Sequence, residues 1–261
     1  MKIFKRTIAV ALLGCAFSSH AALVTVWGEG NVDNEIVNFY DGLTDVDAVS
    51  ASGMLDTVDL SGTNLLWATQ PANSYTGNEL NAMSNFLAGG GRIAFMGEHG
   101  SFQPNQNLRI NAALAFLGST ISINNVVLDG GFRSASVNDG QILSHPLTTG
   151  VNTYEYAAFA PLTVGAGAQT LMLGEELFNG DPSVMMAYQN IGAGSVFLIT
   201  DQNVFDNSSS NWGNFDNEVM FENLLVADTG APPVDPVPEP ASLALLGLGL
   251  AGLAVRRRKQ Q

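Results

Sequence analysis

The sequence predicts an α/β fold: a parallel sheet core with helices on both faces and an antiparallel extension. Three observations carry that expectation. Through the first half of the chain, short apolar runs of strand length alternate with stretches of helical periodicity, which implies parallel strands joined by right-handed crossovers. Glycines and capping residues mark each change of period, most clearly at Gly89-Gly90-Gly91. In the second half most of the helical periodicity is lost and apolar runs come in neighbouring pairs, the pattern of antiparallel strands.

Taken in order, residues 23–27 form an apolar strand that runs into Gly28-Glu29-Gly30. Asn31 is placed to cap a helix through Tyr40, with Ile36, Val37 and Tyr40 on one stripe. Residues 47–51 read as a weaker strand and 64–69 as a buried one. Thr76-Gly77-Asn78-Glu79 is a capping box, opening a helix whose Leu80, Met83 and Leu87 share a face. The glycine triplet stops it, and 92–96 returns as a strand. Asn105 or Asn107 starts the next helix, with Ile110, Ala113, Leu114 and Leu117 at helical spacing and Gly118 as its stop. Strands are then expected at 120–128, 169–173, 184–188 and 195–200, the last two joined by a hairpin-like turn over 189–194. An amphipathic helix over 216–226, with Val219, Phe221, Leu224 and Leu225 available for burial, closes the domain.

Both ends carry addresses rather than core. Lys2, Lys5 and Arg6 precede a mostly apolar stretch over 7–17, and Ser19-His20-Ala21 places small residues at the −3 and −1 positions. This is a secretory signal helix over 1–21, read by the Sec export machinery and cleaved before Ala22. A competing reading makes Leu12-Leu13-Gly14-Cys15 a lipoprotein box with Cys15 acylated. Cys15 is the single cysteine, so cleavage before Ala22 leaves a chain without thiol, disulfide or cysteine-based metal site.

At the other end, a linker over 229–236 leads to Val237-Pro238-Glu239-Pro240, an uncharged run over 241–255, and Arg256-Arg257-Arg258-Lys259. A helix over that run would be roughly 22 Å long, short for a hydrocarbon core about 30 Å thick. It is thus a short C-terminal transmembrane helix, better suited to a signal that is read and cut than to a permanent anchor. The order Pro-Glu-Pro, apolar helix, basic end resembles the PEP-CTERM sorting signal of Gram-negative bacteria, here over 237–261 with Pro238, Glu239, Pro240, Arg256, Arg257 and Arg258 as its motif. The resemblance implies handling by an exosortase-type membrane protease. It also implies transient anchoring, then residence at the cell surface or in the extracellular matrix, often with exopolysaccharide.

What lies between, 22–228, is a single domain of sufficient length for a sizeable core. It holds 22 acidic residues against Arg92, Arg109 and Arg133, with no lysine, a net charge of −19. Nucleic acid is excluded as a partner, since almost nothing could neutralise phosphates. Adsorption to anionic lipid is disfavoured for the same reason. The charge suits solubility outside the cell and a capacity for divalent cations, although exported domains are often acidic without such a role.

The strand at 64–69, the helix with its glycine stop and residues 92–97 resemble the sheet core of class I glutamine amidotransferase-like domains, a flavodoxin-like fold. His145-Pro146-Leu147-Thr148-Thr149-Gly150-Val151 and residues 192–201 resemble the later half of non-catalytic relatives found in exported proteins. Amidotransferases carry a cysteine within a Gly-x-Cys-x-Gly elbow after the central strand. Here that place reads Met96-Gly97-Glu98-His99-Gly100-Ser101, with His99 roughly at the nucleophile's position. Thiol chemistry and glutamine hydrolysis are therefore not expected.

Open parallel sheets bind ligands outside the carboxyl ends of their strands, where strand order reverses. Four such ends carry polar groups: Gly28-Glu29, Thr69-Gln70, Glu98-His99, and Asp201 with Asn203 and Asp206. Converged on one site, Glu98, His99, Asp201, Asn203 and Asp206 would suit a divalent cation or the hydroxyls of a sugar. The Asp-x-Asn-x-x-Asp run departs from a calcium loop at Phe205 and Asp206. On the plainer reading Asp201 and Asn203 make turns, Glu98 caps the following helix and His99 is a loop histidine. Other constellations are weaker. Ser101 and His99, two apart on a loop, are poorly spaced for a triad hydrogen bond. Asp216-Asn217-Glu218 needs only the dipole of the last helix. Gly28-Glu29-Gly30 lacks the third glycine of a dinucleotide fingerprint. Trp67 reads as core, and the polar loop 207–215 with Trp212 as a lid or binding loop. Two functions survive: a non-enzymatic exported module binding polysaccharide or a surface protein, and a metal-assisted hydrolase centred on Glu98, His99 and Asp201.

Overall fold

Apolar residues facing alternately to opposite sides of a strand require cover on both faces. A computed structural model describes residues 21–205 and 214–230 and shows how that cover is supplied. Strand β1 (Ala22–Gly28), helix α1 (Asp33–Asp41) and strands β2 (Val46–Ala51) and β3 (Thr63–Thr69) come first. Helix α2 (Gly77–Ala88), strand β4 (Arg92–Met96) and helix α3 (Pro104–Phe116) follow. Then come β5 (Ile121–Ile123), β6 (Arg133–Ser136), β7 (Thr153–Tyr156), β8 (Leu162–Val164), β9 (Ala168–Phe178), β10 (Asp181–Ile191), β11 (Gly194–Ile199) and helix α4 (Asn217–Val226).

A nine-stranded sheet has the order β2-β1-β3-β4-β11-β10-β8-β5, with β9 also paired to β10. The pairs β2–β1, β1–β3, β3–β4 and β4–β11 are parallel. From β10 onward the pairs are antiparallel, which is the expected extension. Strand order reverses at β1: the chain runs from β1 outward to β2, then crosses to β3 on the other side. A separate two-stranded sheet joins β6 and β7.

The two faces have separate cores. Val24, Val26, Leu65, Trp67, Ala94 and Met96 meet Ile36 and Tyr40 of α1 and Met220, Phe221 and Leu224 of α4. Trp27, Leu66, Ala68, Ile93 and Phe95, the alternate positions, meet Met83 and Leu87 of α2 and Ile110, Ala113 and Leu114 of α3. Each such large side chain contributes about 1.5–3 kcal/mol on burial. Trp67 is fully buried as expected, edge-on to Phe197 and Phe205. The Tyr40 hydroxyl donates to the Phe221 carbonyl at 3.0 Å and so fixes α1 to α4.

Local signals hold where the local residues decide the outcome. The capping box at Thr76 and Glu79 forms in both directions. Several expectations are corrected. Asn31 does not cap α1, whose first turn is led by Val32 with no side-chain cap. Neither Asn105 nor Asn107 starts α3; Gln103 precedes it and Pro104, preset in φ, takes the first turn. The strand expected over 120–128 is only three residues long, because Asn124 and Asn125 turn their side chains to bonds with Pro161, Thr163 and Pro104. Strands β6, β7 and β8 lie where the sequence predicts none, and β9 and β10 are longer than it predicts.

The chain after α4 is strapped to the body. Arg92, at the start of β4, donates to the carbonyls of Leu224 and Ala227 and to the Thr229 hydroxyl. Thr229 also meets the Tyr188 hydroxyl, and its carbonyl accepts from Asn190. No helix among the described residues is long and apolar enough to cross a membrane. The apolar run over 241–255, the signal segment over 1–20 and most of the loop with Asp206 and Trp212 lie outside the described residues.

Candidate functional site

The turn after β4 is held by its neighbours rather than by its own residues. Gly97 continues the ladder by donating to the Ile199 carbonyl. A side chain there would lie 2.7 Å from Asn107 Oδ1 and 2.8 Å from Ile123 Cδ1, so only glycine lets α3 approach. Asn107, buried one turn into α3, then takes both backbone groups of Glu98: Oδ1 accepts from the Glu98 N–H at 3.0 Å, and Nδ2 donates to the Glu98 carbonyl.

With its backbone fixed, the Glu98 side chain is directed inward. Oε2 accepts from the His99 N–H at 2.7 Å and Oε1 from the Gln202 N–H at 3.1 Å. Glu98 is therefore not a cap of α3 but a bridge between the ends of β4 and β11. Asp201 is equally buried: Oδ2 accepts from the Ala157 N–H at 2.6 Å and Oδ1 from the Asn203 N–H at 2.9 Å. Burial, and then the charge of Asp201, push the Glu98 carboxyl up to about 8. Burial also raises Asp201, to about 6, against the lowering effect of its amide donors. His99 is shifted downward by burial. Its Nε2 lies 3.6 Å from Glu98 Oε2, yet near neutral pH both groups are mainly uncharged, so the contact is not an ion pair.

The structure thus places Glu98 and Asp201 after neighbouring strands, with His99 beside Glu98. Asn203 joins them only through the Asp201 turn, and Asp206 lies outside the described residues. Among the described residues no group of three His, Cys, Asp or Glu side chains is arranged to hold a metal ion. Ser101 Oγ lies 3.0 Å from His99 Nδ1, so the spacing does permit that hydrogen bond, contrary to the sequence expectation. Thr69-Gln70 joins through an amide relay: Gln103 donates to Gln70 and Gln70 to Gln202, at 3.0 and 2.9 Å. Asp216 does more than face a helix dipole, since its Oδ2 accepts from the N–H groups of Asn152 and Thr153. His145 forms the expected turn, its Nδ1 accepting from Leu147.

Glu29 goes elsewhere. A groove of about 420 Å³ opens where strand order reverses, walled by Trp27 at the end of β1 and Glu29 after it, Ser52 to Met54 after β2, and residues 71–76 after β3. The Trp27 and Tyr75 rings are 5.7 Å apart at 31°. At Gly28, φ is +149° and a Cβ would stand 2.2 Å from the Thr69 carbonyl oxygen, so glycine closes the floor between β1 and β3. The sequence does not predict this pairing. Its one signal there is an aromatic residue at the carboxyl end of a strand, facing a Pro71-to-Tyr75 loop after another.

Comparison with known proteins adds one decisive segment. Residues 236–259 match the PEP-CTERM protein-sorting motif. The match supports export and membrane-associated sorting by an exosortase. No curated protein matches the chain. Among solved structures, the mmIFT52 N-terminal domain is similar with a TM-score of 0.59 at 16% identity, over 77% of this chain and 94% of that one. A cold-adapted β-galactosidase from Rahnella sp. R3 gives 0.51 at 14%, over 84% of this chain and 33% of that one. A Thermoplasma acidophilum protein assigned as a GMP synthase component gives 0.52 at 10%, over 79% and 93%. This chain spans about a third of the β-galactosidase. At these identities the likeness is one of fold alone.

Proposed function

We propose that the protein is a non-enzymatic binding or structural module, exported by the Sec machinery and displayed at the cell surface or in the extracellular matrix after exosortase processing of its tail. The observation that carries the non-enzymatic part is the use made of Glu98 and Asp201. All four carboxylate oxygens accept backbone N–H groups, so the cluster joins strand ends instead of presenting ligands. The central domain is, on this reading, a non-catalytic relative of the amidotransferase-like, flavodoxin-like domains. Its strand order β2-β1-β3-β4-β11 supports this, being the 2-1-3-4-5 order of such sheets. The signal peptide over 1–21 is removed before Ala22, and the segment over 241–255 anchors the chain only until the tail is cut.

The address is tested by intact mass. The exported wild-type protein is expected to lack Arg256 to Gln261, whereas a P238A/E239A/P240A triple variant, or a host lacking its exosortase, retains them. Retention of those residues in the exported wild type would overturn processing. Activity is tested by adding Zn²⁺, Mn²⁺ or Ca²⁺ to the full chain with polysaccharide substrates. Metal-stimulated hydrolysis lost in E98Q would overturn the non-enzymatic reading.

A further inference from the structure

We propose that the groove at the carboxyl ends of β1 and β3 binds a neutral oligosaccharide, an assignment that rests on reading the domain as a binding module. The place is the first argument. The groove occupies the reversal of strand order, where an open sheet leaves a crevice that no crossover helix covers. Its 420 Å³ falls in the range of about 300–1,000 Å³ typical of small-ligand sites.

The second argument is the chemistry of the walls. The half-buried Tyr75, backed by the largely buried Trp27, supplies the aromatic part of the wall, a surface that can pack against the C–H face of a pyranose ring. Trp27 is preset, because its Nε1 donates to the Gly53 carbonyl at 2.9 Å, so little ordering is needed on binding. Around the rings stand Glu29, Ser52, Asn73 and Ser74, short groups that offer both donors and acceptors to hydroxyls. Glu79, by contrast, is committed to Leu55 and Thr76, which leaves Glu29, exposed at the rim, as the carboxylate nearest solvent.

The third argument is charge. No lysine, arginine or histidine lines this groove, and the domain carries −19 overall. Within this groove a phosphate or an acidic sugar would meet repulsion with no cation to offset it. Finally, Ser74 and Tyr75 also wall a second hollow of about 280 Å³ beside Leu108 and Arg109. Arg109 is engaged there by the Pro71 carbonyl at 2.7 Å. The Tyr75 hydroxyl is buried with no hydrogen-bond partner among the described residues. Two hollows sharing one aromatic wall suit a chain of several rings better than a single sugar.

The test is calorimetric titration of the purified full chain with cellohexaose, isomaltohexaose, chitohexaose and mannohexaose, with hexagalacturonate and hexalysine as charged probes. At least one neutral oligosaccharide is expected to bind. Y75A, and N73W, which fills the groove from an exposed position, should each weaken that binding by about tenfold or more. Y75A is expected to melt lower because it strips a ring from the core, whereas N73W keeps the circular dichroism and melting of wild type. Failure of all four neutral probes overturns the assignment, as does unchanged binding in both variants. Equal or tighter binding of hexagalacturonate or hexalysine overturns it too. Cleavage of a bound oligosaccharide would overturn the non-enzymatic reading alone and leave the groove assignment standing.

Discussion

Glu98 and Asp201 follow adjacent parallel strands, and the buried Glu98 carboxyl sits within the field of Asp201 while the oxygens of both accept backbone N–H groups. Two carboxyls so placed do not ionise independently, and folding must favour their neutral forms. The turn after β4 is therefore most stable in acid, which is unusual for a chain so rich in carboxylates.

The sign follows from linkage. Glu98 is raised from 4.5 to about 8 and Asp201 from 3.8 to about 6, so in the intervening range the folded state holds protons that the unfolded state has lost. Stability from these groups is full below their unfolded values and falls as pH rises toward 8, at up to about 1.4 kcal/mol per pH unit per group. Denaturant midpoints are expected to drop between pH 5 and pH 8 by the equivalent of a few kcal/mol, and E98Q should flatten that slope. A wild-type protein whose stability rises over this interval, or an E98Q slope equal to wild type, would refute the assignment.

Asn107 holds the same turn from the helix side. N107A leaves the N–H and carbonyl of Glu98 without their partners in a buried place, a loss of about 3 kcal/mol. N105A, at an exposed position on the same helix turn, is expected to fall within about 0.5 kcal/mol of wild type. Urea unfolding of the two variants side by side checks the contrast; equal effects would show that Asn107 does not hold the turn.

The capping box gives a graded pair. T76A removes one side-chain acceptor from the first turn of α2 and costs about 1 kcal/mol. E79A removes the reciprocal half of the box and also strips the Leu55 N–H of its acceptor, tying as it does the 3-10 turn Leu55–Thr57 to α2. The expected order is E79A more destabilising than T76A, measured by the same unfolding transition. The reverse order would mean that the Leu55 contact contributes nothing.

Which of these features the sequence makes legible depends on how far the deciding partner lies along the chain. Thr76 and Glu79 are three residues apart, so the motif and its structure coincide. The parallel strands β1, β3, β4 and β11 are also readable, because burial on both faces leaves unbroken apolar runs. Strand β6, Arg-Ser-Ala-Ser, has no apolar alternation and exists only because Thr153 to Tyr156 lies beside it. The polar strand ends could be named in advance, and Glu98 does lie beside His99 and within the field of Asp201. Their chemistry could not, since it is set by Ala157 and Gln202, which approach from far along the chain. The Trp27 and Tyr75 pairing escapes for the same reason: neither residue belongs to a pattern until β1 and β3 are side by side.

Arg92 has a consequence for orientation. Its guanidinium fastens residues 224–229 to the amino-terminal edge of the parallel strands, the same edge from which Ala22 enters β1. The Trp27 groove and the Glu98 turn lie at the opposite edge, roughly 20 Å away along strands of five to seven residues. The strap of residues 224–229 therefore closes on the back of the domain. The described chain ends there, at the far end of the strands, and leaves the crevice clear.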